Sequence, residues 1–267
     1  MNQLGTGFAV TGCGSAVPDG ILHNQQLSRI VDTNERWIST RTGVCQRRIA
    51  DAQSTVSELG AQAAKRAMAM AGIEPEQVQL IILATSTPDD LFGSASQIQA
   101  LLGASNAAAF DLTAACSGFV FGLVTAAQFI RAGVYSNVLL IGADLLSRWL
   151  DWSDRKTCVL FGDGAGAVVL QANEHDHLLG FQMRSDGTQN SCLQLAYNAQ
   201  SREPIKEVKA SQGTYSPITM NGKEVFRFAL EKVPEIIEKA LSPRSPVNVP
   251  PQSHQPPPAV IGGFCGT

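Results

Sequence analysis

The feature that most constrains the fold of this chain is the regular alternation of short apolar segments with longer segments of helical periodicity. Leu80–Ser86 (LIILATS) and Asn137–Asp144 (NVLLIGAD) have the length and branched composition of buried strands, and Ala107–Thr113 predicts a third strand. Helical patterns cover residues 55–71, 94–102 and 117–132. This order predicts an α/β layered fold with helices packed on buried mixed sheets.

Glycine positions predict two turns. A strand at Phe8–Gly12 is expected to enter a turn at residues 12–15, and Cys158–Leu170 predicts a hairpin around the glycines of residues 162–166.

The second part of the chain is less regular. Leu178–Arg184 predicts a strand, the polar residues 185–217 predict loops and short turns, and Lys223–Leu241 predicts an amphipathic helix with Pro234 inside it. We therefore predict an N-terminal half over residues 1–172, the start of a second half over 173–241, and a proline-rich tail over 242–267.

Composition narrows the possible partners. A net charge of −3 and a pI of about 5.8 offer no electrostatic reason to expect a nucleic-acid partner. No apolar run reaches the ~18 residues of a membrane span, and the first residues lack a secretory pattern, so we expect a cytoplasmic protein without a membrane partner. The six cysteines are dispersed, which predicts neither a disulfide framework nor a metal site.

Cys116 occupies a position suited to a nucleophile. It follows the predicted strand at Ala107–Thr113 and directly precedes a predicted helix. The unpaired N–H groups and the dipole of a helix N-terminus favour the thiolate, which is the reactive form of cysteine. An inert core cysteine before a helix is the alternative interpretation of this placement taken alone.

Several segments resemble one family of condensing enzymes. Residues 109–119 (AFDLTAACSGF), 32–43 (DTNERWISTRTG) and 161–167 (FGDGAGA) resemble segments of the β-ketoacyl-acyl-carrier-protein synthase III family, which has the thiolase fold. Residues 84–89 (ATSTPD) and 220–226 (MNGKEVF) also match, in register from about residue 7 to 241.

The resemblance implies an activity and a set of site residues. Cys116 would accept the acyl group of a primer acyl-CoA, which the resemblance implies to be acetyl-CoA, and then donate it to decarboxylating malonyl-acyl-carrier protein. Trp37 would stack on the adenine of CoA opposite Arg155, Thr33 and Arg41 would lie at its nucleotide and phosphate end, and Phe161 would lie by the acyl pocket. The implied partners are acyl-carrier protein, acyl-CoA and a second copy in a homodimer. No cofactor is implied, since CoA enters as the substrate thioester.

The sequence departs from the family after residue 241. The family completes its site with a histidine in an H-Q-A-N segment and an asparagine in a G-N-T-S-A segment, and neither segment is present. His254-Gln255 is followed by three prolines instead. We therefore expect an incomplete second half and an aberrant or disordered tail. The alternative function is that of a catalytically incomplete product, limited to acyl or CoA binding and lacking condensing activity.

The remaining motifs do not support a different functional class, such as an oxidoreductase or a phosphate-binding protein. Gly12-x-Gly14 is followed by Val17 where a dinucleotide fingerprint has its third glycine, which disfavours an oxidoreductase. The FGDGAGA segment lacks the Gly-Lys-Ser/Thr of a phosphate-binding loop and predicts a tight turn between buried strands. Asp111 and Asp144 end predicted strands, and we interpret both as structural.

Overall fold

The computed structural model describes residues 7–242. The first part of this range contains seven strands and five helices, and the later part contains four strands and one long helix. In chain order, the elements are β1 (Gly7–Ala16), β2 (Gly20–His23), α1 (Asn24–Leu27), α2 (Glu35–Thr42), β3 (Gln46–Ile49), α3 (Val56–Ala71), β4 (Leu80–Ala84), α4 (Ala95–Leu102), β5 (Ala108–Leu112), α5 (Gly118–Arg131), β6 (Asn137–Leu145), β7 (Asp163–Asn173), β8 (Leu193–Gln194), β9 (Tyr197–Ile205), β10 (Val208–Tyr215), β11 (Thr219–Met220) and α6 (Gly222–Leu241).

A five-stranded mixed sheet forms the centre of the molecule, in the order β1-β7-β6-β4-β5. β4 runs parallel to both β5 and β6, whereas β7 is antiparallel to β6 and to β1. The carboxyl ends of β4, β5 and β6 therefore meet at one edge of the sheet, and β7 begins at that same edge. This edge is where the loops that carry the candidate site emerge.

Helices cover both faces of this sheet. Successive side chains of a strand point to opposite faces, so Ile81 and Leu83 pack in the cluster that contains α3 and α4, while Leu80 and Ile82 pack in the cluster that contains α5. All five residues of β4 are buried, because the strand is covered on both faces. The predicted layered α/β arrangement is present.

Helix boundaries follow their local signals. Thr55 accepts a hydrogen bond from the backbone N–H of Glu58 and begins α3, while Gly72 ends it in the left-handed conformation. Gly103 ends α4 in the same way, at φ +73°. These ends agree with the prediction to within one residue.

The predicted turn at residues 12–15 is wrong, because β1 continues through it to Ala16. The glycines serve close packing instead of a turn. A Cβ on Gly12 would lie 2.1 Å from the carbonyl oxygen of Ala67, and one on Gly14 would lie 2.3 Å from that of Ala63. α3 therefore crosses β1 in direct backbone contact, which no larger residue at these positions permits.

The predicted hairpin at Cys158–Leu170 is also wrong. Turns occupy residues 155–160, and a single strand, β7, begins at Asp163 and includes Gly164 and Gly166. The glycines therefore do not form a tight turn between two strands. Asp163 instead fixes the start of β7: its carboxylate accepts hydrogen bonds from Ser147 and from the backbone N–H of Ala50.

Residues 178–217 differ from the prediction in two ways. No strand forms at Leu178–Arg184, because no strand of the described part lies alongside to pair with it. A hairpin of β9 and β10 lies where loops were expected. The side chains of both strands are almost all exposed, so the sequence shows no apolar alternation that would predict strands. The turn has no glycine to predict it either, because Glu207 adopts the positive φ of 72°.

The helix predicted at Lys223–Leu241 is confirmed as α6, which continues through Pro234. The predicted tail at 242–267 lies outside the described residues apart from Ser242. Within residues 7–242, no helix combines the length and apolar character needed to cross a bilayer.

The contact of β1 with α3 predicts effects of very different size on stability for two glycine substitutions in the sheet. Gly12→Ala should lower the free energy of unfolding by about 3 kcal/mol or more, because its Cβ would overlap the backbone of α3. Gly166→Ala in β7 should change it by less than about 1 kcal/mol, because nothing lies within 4 Å of the added Cβ. Urea unfolding measures both, and equal losses would contradict the packing argument.

Candidate active site

Cys116 lies in a short 3₁₀ turn, Ala115–Ser117, between the end of β5 and the start of α5. The predicted order of strand, cysteine and helix is therefore confirmed. The Cys116 side chain is exposed at the edge of the sheet where parallel strands end. An exposed thiol in this place can be reached by a substrate.

The turn is held in an uncommon backbone conformation. Ala115 has a positive φ of 46°, a region that costs a residue with a Cβ about 1–2 kcal/mol. Gly118 follows, and a Cβ there would lie 3.3 Å from that of Ala84, so the first turn of α5 is pressed against β4. Strain of this kind persists only where surrounding contacts maintain it, and it is common at catalytic residues.

A polar network behind the turn supplies some of those contacts. The Thr113 hydroxyl donates to the carbonyl of Thr85 at 2.7 Å, and the backbone N–H of Thr85 donates to the carbonyl of Leu112. Asp144, at the end of β6, accepts hydrogen bonds from the hydroxyls of Thr85 and Thr87 and from the N–H of Ser86. The ends of β4, β5 and β6 are thus joined just before Cys116.

The structural interpretation of the two strand-end aspartates is confirmed. Asp111 accepts hydrogen bonds from the backbone N–H groups of Ser94 and Ala95 and caps α4. Asp144 holds the strand-end loop, and burial raises its pKa above the ordinary value of 3.8, against the opposing effect of its hydrogen-bond donors.

The structure brings Trp37 and Arg155 together. The Arg155 Cζ lies 5.2 Å from the centroid of the Trp37 ring, within the range of a cation–π contact. Arg155 also donates to the carbonyl of Asp32 at 2.7 Å. An exposed aromatic face and an exposed guanidinium therefore oppose each other, although the two residues are 118 positions apart in the sequence.

The other predicted binding residues lie on or next to the chain segments that carry Trp37 and Arg155. Arg41 is exposed in the last turn of α2, the helix that carries Trp37. The Thr33 hydroxyl is buried and has no hydrogen-bond partner among residues 7–242. Phe161 is half-buried and packs against the apolar cluster that contains Ile38 of α2. It precedes β7, so it lies at the same edge of the sheet as Cys116.

Two cavities of the described chain differ in their position relative to Cys116. The larger, of about 580 Å³, lies between the β2–β3 ribbon and the start of α3, and Cys116 is not among its lining residues. The smaller, of about 350 Å³, is lined by Ala114 and Ser117 on either side of Cys116 and also by Arg184. Cys116 does not line the smaller cavity either, but of these two cavities only the smaller is lined by the residues that flank Cys116 in its turn. The sequence carried no signal for a functional role of Arg184, which ends the predicted strand Leu178–Arg184.

Comparison with known proteins identifies the family. The family described as 3-oxoacyl-[acyl-carrier-protein (ACP)] synthase III matches residues 110–187, which include Cys116 and Phe161. β-Ketoacyl-[acyl-carrier-protein] synthase III of Nostoc sp. (strain PCC 7120) is 67% identical over 235 residues, which are 88% of this chain and 71% of that protein. The chain belongs to the β-ketoacyl-acyl-carrier-protein synthase III family. The corresponding protein of Synechococcus elongatus is 62% identical over 90% of this chain and 72% of its own length.

Solved structures of the family share the fold. The synthase III of Aquifex aeolicus VF5 superposes with a TM-score of 0.75 at 41% identity, over 88% of this chain and 72% of that one. The synthase III of Pseudomonas aeruginosa PAO1 gives 0.77 at 38% identity, over 88% and 70%. The predicted family and the predicted thiolase-like α/β fold are both confirmed. The expected incompleteness of the second half concerns residues outside the described range.

The raised pKa of Asp144 predicts a specific pH dependence. The folded protein retains the Asp144 proton to a higher pH than the unfolded chain, so this residue's contribution to stability is greatest below pH 3.8 and is lost as the pH rises through the folded-state pKa. Asp144→Asn removes this loss while its amide oxygen can still accept the same hydrogen bonds. The unfolding free energy of the variant relative to the parent should therefore rise with pH.

Urea unfolding of both proteins across this pH range measures the difference directly. Asp51→Asn is the matched control with the opposite sign, because hydrogen bonds from Ser54 and Gln53 lower the pKa of Asp51. A relative stability of Asp144→Asn that falls as pH rises would contradict the assignment.

Proposed function

We propose that this protein condenses a primer acyl-CoA with malonyl-acyl-carrier protein, giving 3-oxoacyl-acyl-carrier protein and initiating fatty-acid synthesis. The observation that carries the proposal is the strained turn that presents Cys116 between the end of a parallel strand and the start of a helix, inside the stretch that matches the family. The extent of identity to named synthases favours this function over that of a product limited to acyl or CoA binding.

In the first half-reaction, Cys116 is acylated. The thiolate sulfur attacks the carbonyl carbon of acyl-CoA, a new carbon–sulfur bond forms, and the bond to the CoA sulfur breaks, so that CoA leaves and takes up a proton. The N-terminus of α5 favours the negative charge of the Cys116 thiolate through the helix dipole. Ser117 makes no side-chain cap there, and no acidic residue lies in the first turn to oppose that charge.

In the second half-reaction, the acyl group leaves Cys116. Malonyl-acyl-carrier protein loses its carboxylate as CO₂, and the released electron pair forms a carbon–carbon bond to the acyl carbonyl. The Cys116 thiolate is the leaving group, so it is regenerated for another cycle. The resulting sequence of two displacements is of the ping-pong type. No cofactor enters this scheme, because CoA is part of the substrate.

The pair of Trp37 and Arg155 is suited to the adenine of CoA. A base stacked between two planar groups needs about 7 Å between them, because each contact takes about 3.5–4.0 Å. The present separation of 5.2 Å is too small. We expect Arg155 to release the carbonyl of Asp32 and move outward when CoA binds, with Thr33 and Arg41 near the nucleotide phosphates and Phe161 by the acyl group.

Two further properties belong to this proposal. The family resemblance implies a homodimer, and the edge position of β5 with its exposed Phe110 supports pairing with a second copy. The mass of the protein in solution, measured by light scattering, distinguishes a monomer from a dimer. A cytoplasmic location accords with a carrier-protein partner, and cell fractionation tests it.

Cys116→Ala should abolish acylation by acetyl-CoA and reduce condensation by at least about 10³-fold, because the covalent intermediate cannot form. Mass spectrometry of the intact protein and of its peptides locates the acetyl group, and product formation from acetyl-CoA and malonyl-acyl-carrier protein measures turnover. Cys13→Ala is the matched control, since Cys13 is also exposed but lies in β1. Acetyl retained in Cys116→Ala would refute the assignment, whereas acylation without condensation would favour the alternative function.

Trp37→Ala and Arg155→Ala should each weaken CoA binding about tenfold or more, because loss of one stacking partner typically costs ~1–3 kcal/mol. Isothermal titration with CoA measures the dissociation constant. Arg148→Ala is the matched arginine control, since Arg148 is exposed nearby in the sequence and donates to the carbonyl of Ser54. Unchanged affinity in both Trp37→Ala and Arg155→Ala would exclude this cleft as the CoA site.

A further inference from the structure

Arg47 is a buried cation without a buried anion. Its side chain is only 1% exposed, and no ion pair to it is present among residues 7–242. Burial lowers the pKa of Arg47, an effect that Cys158 and Cys45 partly offset. Desolvating a guanidinium is costly, and apolar residues often replace buried charges without loss of stability. Stability alone is therefore a poor explanation for an arginine here.

The guanidinium holds two separate segments at once. Its Nε and Nη2 atoms donate to the carbonyl of Val159, at 3.1 and 2.6 Å. Its Nη1 atom donates to the side-chain oxygen of Asn24 at 2.6 Å. All of these acceptors are neutral, and their arrangement matches the planar fork of an arginine but not the single ammonium group of a lysine.

The Asn24 side leads to the helix that carries Trp37. The Asn24 side-chain amide donates to the carbonyl of Val44 at 2.9 Å. Val44 directly follows Gly43, which ends α2. Asn24 therefore connects Arg47 to the carboxyl end of α2 through two hydrogen bonds.

The Val159 side leads to Arg155. Hydrogen-bonded turns connect them: the N–H groups of Thr157 and Cys158 donate to the carbonyl of Asp154, and that of Leu160 donates to Thr157. The same segment lies directly on β3, since a Cβ on Gly162 would be 3.0 Å from the carbonyl oxygen of Arg48. The position of the Val159 carbonyl thus determines where the Arg155 backbone lies.

We infer that Arg47 is a positioning residue that sets the separation of Trp37 and Arg155, and thereby the width of the cleft for the nucleotide of acyl-CoA. The inference rests on the proposed function, which assigns this cleft to CoA. Arg47 is buried, and its side-chain hydrogen bonds go to Asn24 and Val159, so it acts on the cleft through those two residues. Its contribution therefore concerns the nucleotide end of the substrate and not the thioester that reacts with Cys116.

The test compares two acyl donors. Acetyl-CoA contains the nucleotide, whereas acetyl-pantetheine contains the same thioester without it. Arg47→Lys keeps the charge but loses the fork, and it should raise the KM for acetyl-CoA and the dissociation constant of CoA about tenfold, as expected for lost charged hydrogen bonds. The rate of Cys116 acylation at saturation, and the KM for acetyl-pantetheine, should change less than about threefold.

A second variant keeps the inference testable if Arg47→Lys does not fold. Asn24→Asp keeps an oxygen that accepts from Arg47 and supplies it with a counter-ion, but loses the amide that donates to Val44. The new ion pair with Arg47 offsets the lost hydrogen bond to Val44, so the variant should remain folded in thermal unfolding and still weaken CoA binding selectively. Arg148→Lys is the matched control, because it makes the same substitution at an exposed arginine. It should leave the KM values for acetyl-CoA and acetyl-pantetheine unchanged.

The outcomes separate the inference from the proposed function. Unchanged CoA affinity in folded Arg47→Lys and Asn24→Asp, with CoA weakened in Trp37→Ala, would overturn the inference alone. Equal losses with both acyl donors would also overturn it, because they would indicate a general structural role. No effect of Trp37→Ala would instead refute the CoA assignment itself.

Discussion

The close approach of α3 and α5 to the two faces of the central sheet is the constraint on which the rest of the structure depends. α3 lies against the backbone of β1 because Gly12 and Gly14 have no side chains, and on the other face a Cβ on Gly122 of α5 would lie 2.5 Å from Leu140 in β6. With both helices this close, β4 is buried on both faces, and the ends of the parallel strands are brought to one edge. The turn that carries Cys116 is formed at that edge.

Polar side chains then connect the loops at this edge. Asp163 joins the start of β7 to Ser147 and Ala50, Asp89 accepts hydrogen bonds from the first turn of α3, and Asp144 joins the end of β6 to the residues that follow β4. Each carboxylate accepts backbone N–H groups that would otherwise lack a partner at a helix or strand end. These links allow the strained conformation of Ala115 to persist beside a reactive thiol.

Much of this architecture could be predicted from local patterns. Strands β4, β5 and β6 are short apolar runs, and α3, which precedes them, has clear caps at Thr55 and Gly72. The failures have a common cause. The glycines at residues 12–14 and 162–166 were interpreted as turns, but their role depends on what packs against them from distant parts of the chain. The hairpin of β9 and β10 was missed because its side chains are exposed and carry no apolar alternation.

For the site, the sequence by itself determined the placement of Cys116 between a strand and a helix, and the family to which the chain belongs. Both follow from residues that are adjacent in the chain, where local backbone preference and motif spacing act. Only the tertiary structure decided that Trp37 meets Arg155, that Arg184 adjoins the cavity beside Cys116, and that the charge of Arg47 is buried between Asn24 and Val159. These contacts join residues more than twenty positions apart, so their geometry depends on the packing of the whole sheet and its helices, which no local pattern encodes.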